Sequence, residues 1–167
     1  IDGTGLTKLT DDGDNNTPVW SPDGRKIVFY SGRSIKVMNM DGSDKKIILD
    51  NPSYRVNDSG FSWSPNGDRI LVSISNGDNF EIYSLSANGD DIQNLTNHPA
   101  SDYCPDWSPD GSKIVFSRED KIYTMNEDGS NTQEIVTTYQ NQSPRWSPDG
   151  NKIAFQAIVR GINYVFT

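Results

Sequence analysis

The chain has 167 residues, a formal net charge of −8 and 33% hydrophobic residues. Nineteen Asp and sixteen Asn stand against four Glu; this turn-rich, helix-poor composition excludes a helical bundle, because short Asx side chains bond back to their own backbone. The acidity argues against nucleic acid and anionic membranes as partners, the lone Cys104 excludes an intrachain disulfide and zinc-finger spacings, and no apolar run reaches the ~18 residues of a membrane span.

The chain opens at Ile1 without a Met and reads as a processed or excised piece, with no signal peptide. A turn at Asp2-Gly3 leads into a short strand, Leu6-Thr7-Lys8-Leu9. A second strand ends at Trp20 and contains Pro18. Ser21-Pro22-Asp23-Gly24 is then a tight turn, with proline presetting φ and glycine supplying the positive φ. The β-branched run Lys26-Ile27-Val28-Phe29 predicts the next strand, and Ile35-Lys36-Val37-Met38 another. Asp41-Gly42 predicts a hairpin turn before the strand Lys46-Ile47-Ile48-Leu49.

The same order then recurs. Trp63-Ser64-Pro65-Asn66-Gly67, Trp107-Ser108-Pro109-Asp110-Gly111 and Trp146-Ser147-Pro148-Asp149-Gly150 repeat the first signature. Ile82-Tyr83-Ser84-Leu85 and Ile122-Tyr123-Thr124-Met125 repeat the second, each followed by Asn-Gly or Asp-Gly. Four short antiparallel strands per repeat of roughly 40 residues is one propeller blade. The predicted fold is therefore all-β, a single β-propeller array over residues 1–167 with four blades per chain. The blades span about residues 11–50, 51–96, 97–137 and 138–167. The termini are split between strands three and four of one blade, so residues 1–10 are expected to complete the last blade, in the same chain or in a partner chain.

The pattern P-x-W-S-P-D-G-x-K-I-x-F, followed by I-Y-x-M-N-x-D-G, resembles the PD40 (WD40-like, TolB-type) β-propeller repeat over the whole chain. The second copy departs from it at Phe61, Asn66 and Val72, which stand where the pattern has Pro, Asp and Phe. The resemblance implies a non-enzymatic module for envelope protein–protein contacts and a periplasmic or exported location. Similar repeats also form the non-catalytic propeller of prolyl-oligopeptidase-like peptidases. Rings of this repeat type usually hold six to eight blades. A homodimer closing an eight-bladed ring is therefore expected over a self-closed four-bladed monomer or an excised fragment of a longer propeller.

Little in the sequence points to catalysis. His98 is the only histidine, so a multi-histidine metal site cannot be built. No G-x-S-x-G elbow is present. Cys104 has no second thiol or evident base beside it, and reads as a partly buried, inert thiol. The segments around Asp41-Gly42 and Asp128-Gly129 echo a calcium loop but lack its first acidic ligand and its final Glu, so they read as hairpin turns. No metal, cofactor or catalytic residue is assigned. Trp20, Trp63, Trp107 and Trp146 hold one equivalent place per blade and are expected to pack between adjacent sheets. Five residues before each stand Asn15, Asp58, Asp102 and Asn141. The innermost strands line a propeller's channel, so these four form a candidate polar ring at one channel mouth, widened by Asp14, Asn57 and Ser101. The same Asx side chains could equally cap the turn that leads into the strand. A small-ligand or metal-binding propeller rests on this ring alone.

Overall fold

The structure, a computed structural model, describes residues 4–11, 13–57, 60–75, 77–136 and 140–167. Among these residues every regular element is a strand, and none is a helix. The first sheet is a meander of β1 (Asn15–Trp20), β2 (Lys26–Ser31), β3 (Ser34–Asn39) and β4 (Lys46–Asp50). In the second sheet the innermost strand is divided into β5 (Arg55–Val56) and β6 (Ser62–Trp63), which both pair with β7 (Arg69–Ser75). β8 (Phe80–Ser86) and β9 (Ile92–Asn94) complete it. The third sheet runs β10 (Asp102–Trp107), β11 (Lys113–Arg118), β12 (Lys121–Asn126) and β13 (Gln133–Val136). The fourth has three strands: β14 (Gln140–Trp146), β15 (Ile153–Val159) and β16 (Ile162–Phe166). All pairings are antiparallel.

The repeated turn is built from its side chains. Ser21 Oγ donates to Asp23 Oδ1 at 2.6 Å and accepts the N–H of Lys26 at 2.9 Å. Asp23 Oδ1 also accepts the N–H of Arg25 at 3.0 Å. Ser108–Asp110 and Ser147–Asp149 repeat the 2.6 Å bond. Asn66 keeps the same acceptor for Ser64, which is why the departure in the second repeat leaves the turn intact. Hydrogen bonds from serine hydroxyls and backbone N–H groups hold the Asp110 and Asp149 carboxyls at a pKa of about 2.

The core lies between the sheets. Val28, Ile35 and Val37 of the first pack with Trp63, Ile70 and Tyr83 of the second. Leu71, Ile82 and Leu95 of the second pack with Trp107, Phe116 and Met125 of the third. Trp63 and Trp107 lean on the sheet before them: Trp63 Nε1 donates to the Val19 carbonyl at 3.2 Å, and the Trp107 backbone N–H to Ser62 Oγ at 3.1 Å. Trp63 and Trp107 are buried as expected, and Trp146 is half-buried. Trp20 departs from the expectation, being 54% exposed, since among the described residues no sheet packs on that side of the first.

The outer segments of the first and second sheets cross the hairpin glycine of the next sheet. A Cβ on Gly89 would stand 3.0 Å from Ile48 Cα, and one on Gly129 2.5 Å from the Leu95 carbonyl oxygen. Both glycines also hold positive φ, 77° and 86°, so the turn sequence is fixed twice over. Gly42 meets Leu9 in the same way, at 3.1 Å. Leu9 thus occupies an outer-strand slot against the first sheet, packed on Ile27, Phe29 and Met38. Residues 4–10 nevertheless join no ladder, since no third strand lies beside them. The first and fourth sheets share no extensive contact.

Candidate functional site

The innermost strands share one irregularity. The residue three before each tryptophan has positive φ: Thr17 at 49°, Gly60 at 89°, Cys104 at 54° and Ser143 at 52°. The ladder register shifts across Asn16/Val19, Tyr103/Asp106 and Gln142/Arg145, so each is a β-bulge. Three of the four precede proline. The left-handed region is costly for Thr, Cys and Ser, by about 1–3 kcal/mol, and such strain gathers where side chains or backbone are re-aimed for use.

The structure places the candidate ring as follows. Asn15 is half-buried, and its Nδ2 donates to Thr10 Oγ1 at 3.1 Å. Asp58 lies outside the described residues. Asp102 is fully buried, with Arg118 Nε on Oδ1 at 2.6 Å and Nη2 on Oδ2 at 2.8 Å. Asn141 is also fully buried. Its backbone N–H and its Nδ2 both donate to the Asp120 carbonyl, at 2.8 and 3.1 Å. Asn141 thereby ties the start of the fourth sheet to the β11–β12 hairpin of the third. Ser101 does the same one blade earlier, its Oγ accepting the Phe80 N–H at 3.1 Å. Asp14 and Asn57 make backbone bonds within their own sheets, to Gly32 and Ser73. His98 is half-buried and belongs to a loop anchor, its N–H on Glu81 Oε1 and its Nδ1 accepting from Ala100. Cys104 is half-buried, with Sγ 3.7 Å from Ser143 Oγ.

Between the third and fourth sheets the bulges open onto a cavity of about 460 Å³. Tyr103, Cys104, Arg118, Asp120, Gln142 and Ser143 are among its walls. Four residues with positive φ meet there: Cys104, Glu119, Asp120 and Ser143. Arg118 forms its floor, 5.3 Å from the Phe116 ring centroid and 5.2 Å from that of Tyr123. Burial acts against its charge, but the hydrogen bonds and charge of Asp102 outweigh that and raise its pKa. The cavity therefore offers a fixed, charge-compensated guanidinium beside hydroxyl, amide and backbone groups. It suits a polar segment that both donates and accepts hydrogen bonds.

Sequence reasoning did not single out Arg118, Asp106 or Arg145. The available signal was departure from the repeat. Arg118 faces Asp102 where Ser31 faces Asn15 and Ala157 faces Asn141. Asp106 and Arg145 stand where the first two repeats have Val19 and Ser62.

Antiparallel four-strand units, stacked sheet on sheet with bulged innermost strands, define a β-propeller blade array. The chain belongs to the PD40 family, the TolB beta propeller domain, whose model matches residues 34–166. It is 34% identical over 121 residues to a Protein TolB homolog of Chlorobium luteolum, covering 70% of this chain and 27% of that protein. It is 28% identical over 159 residues to the uncharacterized peptidase YuxL of Bacillus subtilis, covering 71% of this chain and 23% of that one. The chain thus spans about a quarter of the length of these relatives. Among solved structures, the putative TolB from Agrobacterium tumefaciens superimposes with a TM-score of 0.72 at 22% identity, over 94% of this chain and 60% of that one. Among the described residues no helix is long and apolar enough to cross a membrane.

Proposed function

We propose that this chain is a non-enzymatic propeller module that binds another protein, receiving a polar segment of that partner in the cavity between the third and fourth sheets. One observation carries the reading: four residues with positive φ converge on one 460 Å³ concavity floored by Arg118. An extended peptide supplies both N–H and C=O groups, which match the mixed donors and acceptors of the walls. The relatives named TolB support a protein-binding module, and a second copy of the chain completing an eight-bladed ring belongs to the same reading. A small-ligand or metal-binding propeller has less support, because both Asp102 oxygens already accept from Arg118.

The test is selection of a phage-displayed random peptide library on the immobilised chain. Peptides are expected to enrich and to lose binding to Gln142→Trp, which fills the cavity from an exposed position. No enrichment, or equal binding to the variant, overturns the reading. The second reading is the propeller domain of a larger peptidase. It is favoured by the 28% identity to YuxL over 71% of this chain. A G-x-S-x-G motif in an α/β region of the same gene would establish it.

A further inference from the structure

We propose, resting on the peptide-binding reading above, that the segment received by the cavity is basic and sets a lysine or arginine side chain against Glu119 and Asp120. The charges on the walls carry this. Arg118 is the one cation on the cavity floor, and both its Nε and its Nη2 are held by Asp102, at 2.6 and 2.8 Å. The charge of Glu81 also reaches it. An anion entering the cavity therefore meets a guanidinium that is already matched. Glu119 and Asp120 line the same cavity and are exposed. Neither carboxylate has a hydrogen bond or an ion pair among the described residues. Lys121, the next residue, gives its ammonium to Glu134 Oε2 at 2.8 Å and feels Glu119 only weakly. The cavity is thus left with two unmatched negative charges, in a chain of net charge −8. Both attract a cation and repel an anion.

The turn that bears these carboxylates does not account for them. Glu119 and Asp120 are the two residues between β11 and β12, with φ of 47° and 61°. A two-residue hairpin of that kind favours Asn-Gly or Asp-Gly, and a long side chain in the left-handed region is costly. Between the same two strands the first sheet has Gly32-Arg33 and the fourth Arg160-Gly161, so two carboxylates are a departure from the repeat. The tip is also held in place. The Asp120 carbonyl accepts the Asn141 N–H at 2.8 Å and its Nδ2 at 3.1 Å. A cation therefore meets charges on a fixed backbone, which lowers the ordering cost of binding. Tyr103 lies against Phe80, ring centroids 5.3 Å apart, and gives the cavity an aromatic wall. The aliphatic stem of a lysine or arginine packs on such a wall while its head reaches the carboxylates.

The experiment takes the peptides enriched from the random library on the full chain, makes them synthetically, and measures their binding to two double variants. Glu119→Gln with Asp120→Asn neutralises the cavity rim. Glu127→Gln with Asp128→Asn removes the same two charges at the other end of β12, where both residues are exposed. All four changes are to matching amides at exposed positions, so circular dichroism is expected to equal the parent's. The enriched peptides are expected to hold Lys or Arg above the frequency of the library. Their affinity is expected to fall about tenfold on the rim variant and to stay at the parent's level on the other. It is also expected to weaken in about 0.5 M salt. Peptides that lose binding to Gln142→Trp but show no excess of Lys or Arg, or that bind the rim variant as well as the parent, overturn this inference and leave the cavity reading standing. Equal losses on the two double variants overturn it too, because overall charge and not the cavity then attracts the peptide. No enrichment at all overturns the cavity reading and this inference with it.

Discussion

Asp106 Oδ2 accepts the backbone N–H of Trp146 at 2.8 Å while its Oδ1 accepts the Ser62 hydroxyl at 3.0 Å, so one carboxylate joins three successive sheets. Ser62 Oγ in turn accepts the Trp107 N–H at 3.1 Å. At the first junction Val19 has only its carbonyl to offer, and the indole of Trp63 takes it. The residue before each tryptophan therefore sets the chemistry of each junction. It grows more polar along the chain, toward the cavity.

This carboxylate makes stability depend on pH. Burial pushes the Asp106 carboxyl above its ordinary value, although the Trp146 N–H, the Arg145 charge and the Ser62 hydroxyl all oppose the shift. The folded chain then holds the proton more tightly than the unfolded one, so stability falls as pH rises from about 4 through the raised value. Asp106→Asn keeps an acceptor for Trp146 and removes the titration. Relative to this variant, the parent is expected to lose stability as pH rises above the ordinary carboxylate value in urea unfolding. A constant difference across that range sinks the assignment.

The signature turns work in the opposite direction. Asp110 and Asp149 sit near a pKa of about 2, held down by their serine and backbone donors. Their contribution is present above the ordinary carboxylate value of about 3.8 and is lost as pH falls toward 2. The double change Asp110→Asn and Asp149→Asn copies the natural Asn66 turn. Its circular dichroism is expected to match the parent at neutral pH and to fall less steeply on acidification from pH 4 to pH 2. An unchanged acid limb counts against the turn as its source.

The tryptophans separate interior blades from the end blade. Trp107 is 7% exposed and Trp20 54%. Trp107→Ala is expected to cost about 3–5 kcal/mol, as for a buried aromatic truncation. Trp20→Ala is expected to cost under about 1 kcal/mol. Equal losses in chemical unfolding would remove the distinction.

Most of the fold was legible because the repeat is local. The Ser-Pro-Asp-Gly turn, the β-branched run after it and the Asp-Gly hairpin are each fixed by residues within a few positions. Trp63 and Trp107 followed from repetition alone. Trp20 did not, because burial at that place comes from a neighbouring sheet rather than from the residue. The site was less legible for the same reason. Asp102 and Asn141 were singled out by position, yet what they touch, Arg118 and the Asp120 carbonyl, depends on pairing register and on the blade before. Positive φ at Thr17, Cys104 and Ser143 had no signal in residue type. Gly60, at the same place in the second repeat, was the one hint of it.

Asp102 and Arg118 test whether the cavity floor is a structural pair. Arg118 is 9% and Asp102 0% exposed in their side chains, and the contact is bidentate. Removing one charge leaves the other buried without a counterion. Arg118→Met is therefore expected to cost about 3–5 kcal/mol, while Asp102→Leu with Arg118→Met costs much less than the two single changes together. Urea unfolding of the four proteins measures the coupling. The rings of Phe116 and Tyr123 stay in place to pack against the Met side chain, so the double variant keeps its fold. Additive losses would mean that the ion pair does not act as a unit. A neutral Arg118→Met would mean that Asp102 reaches solvent or another partner once the guanidinium is gone.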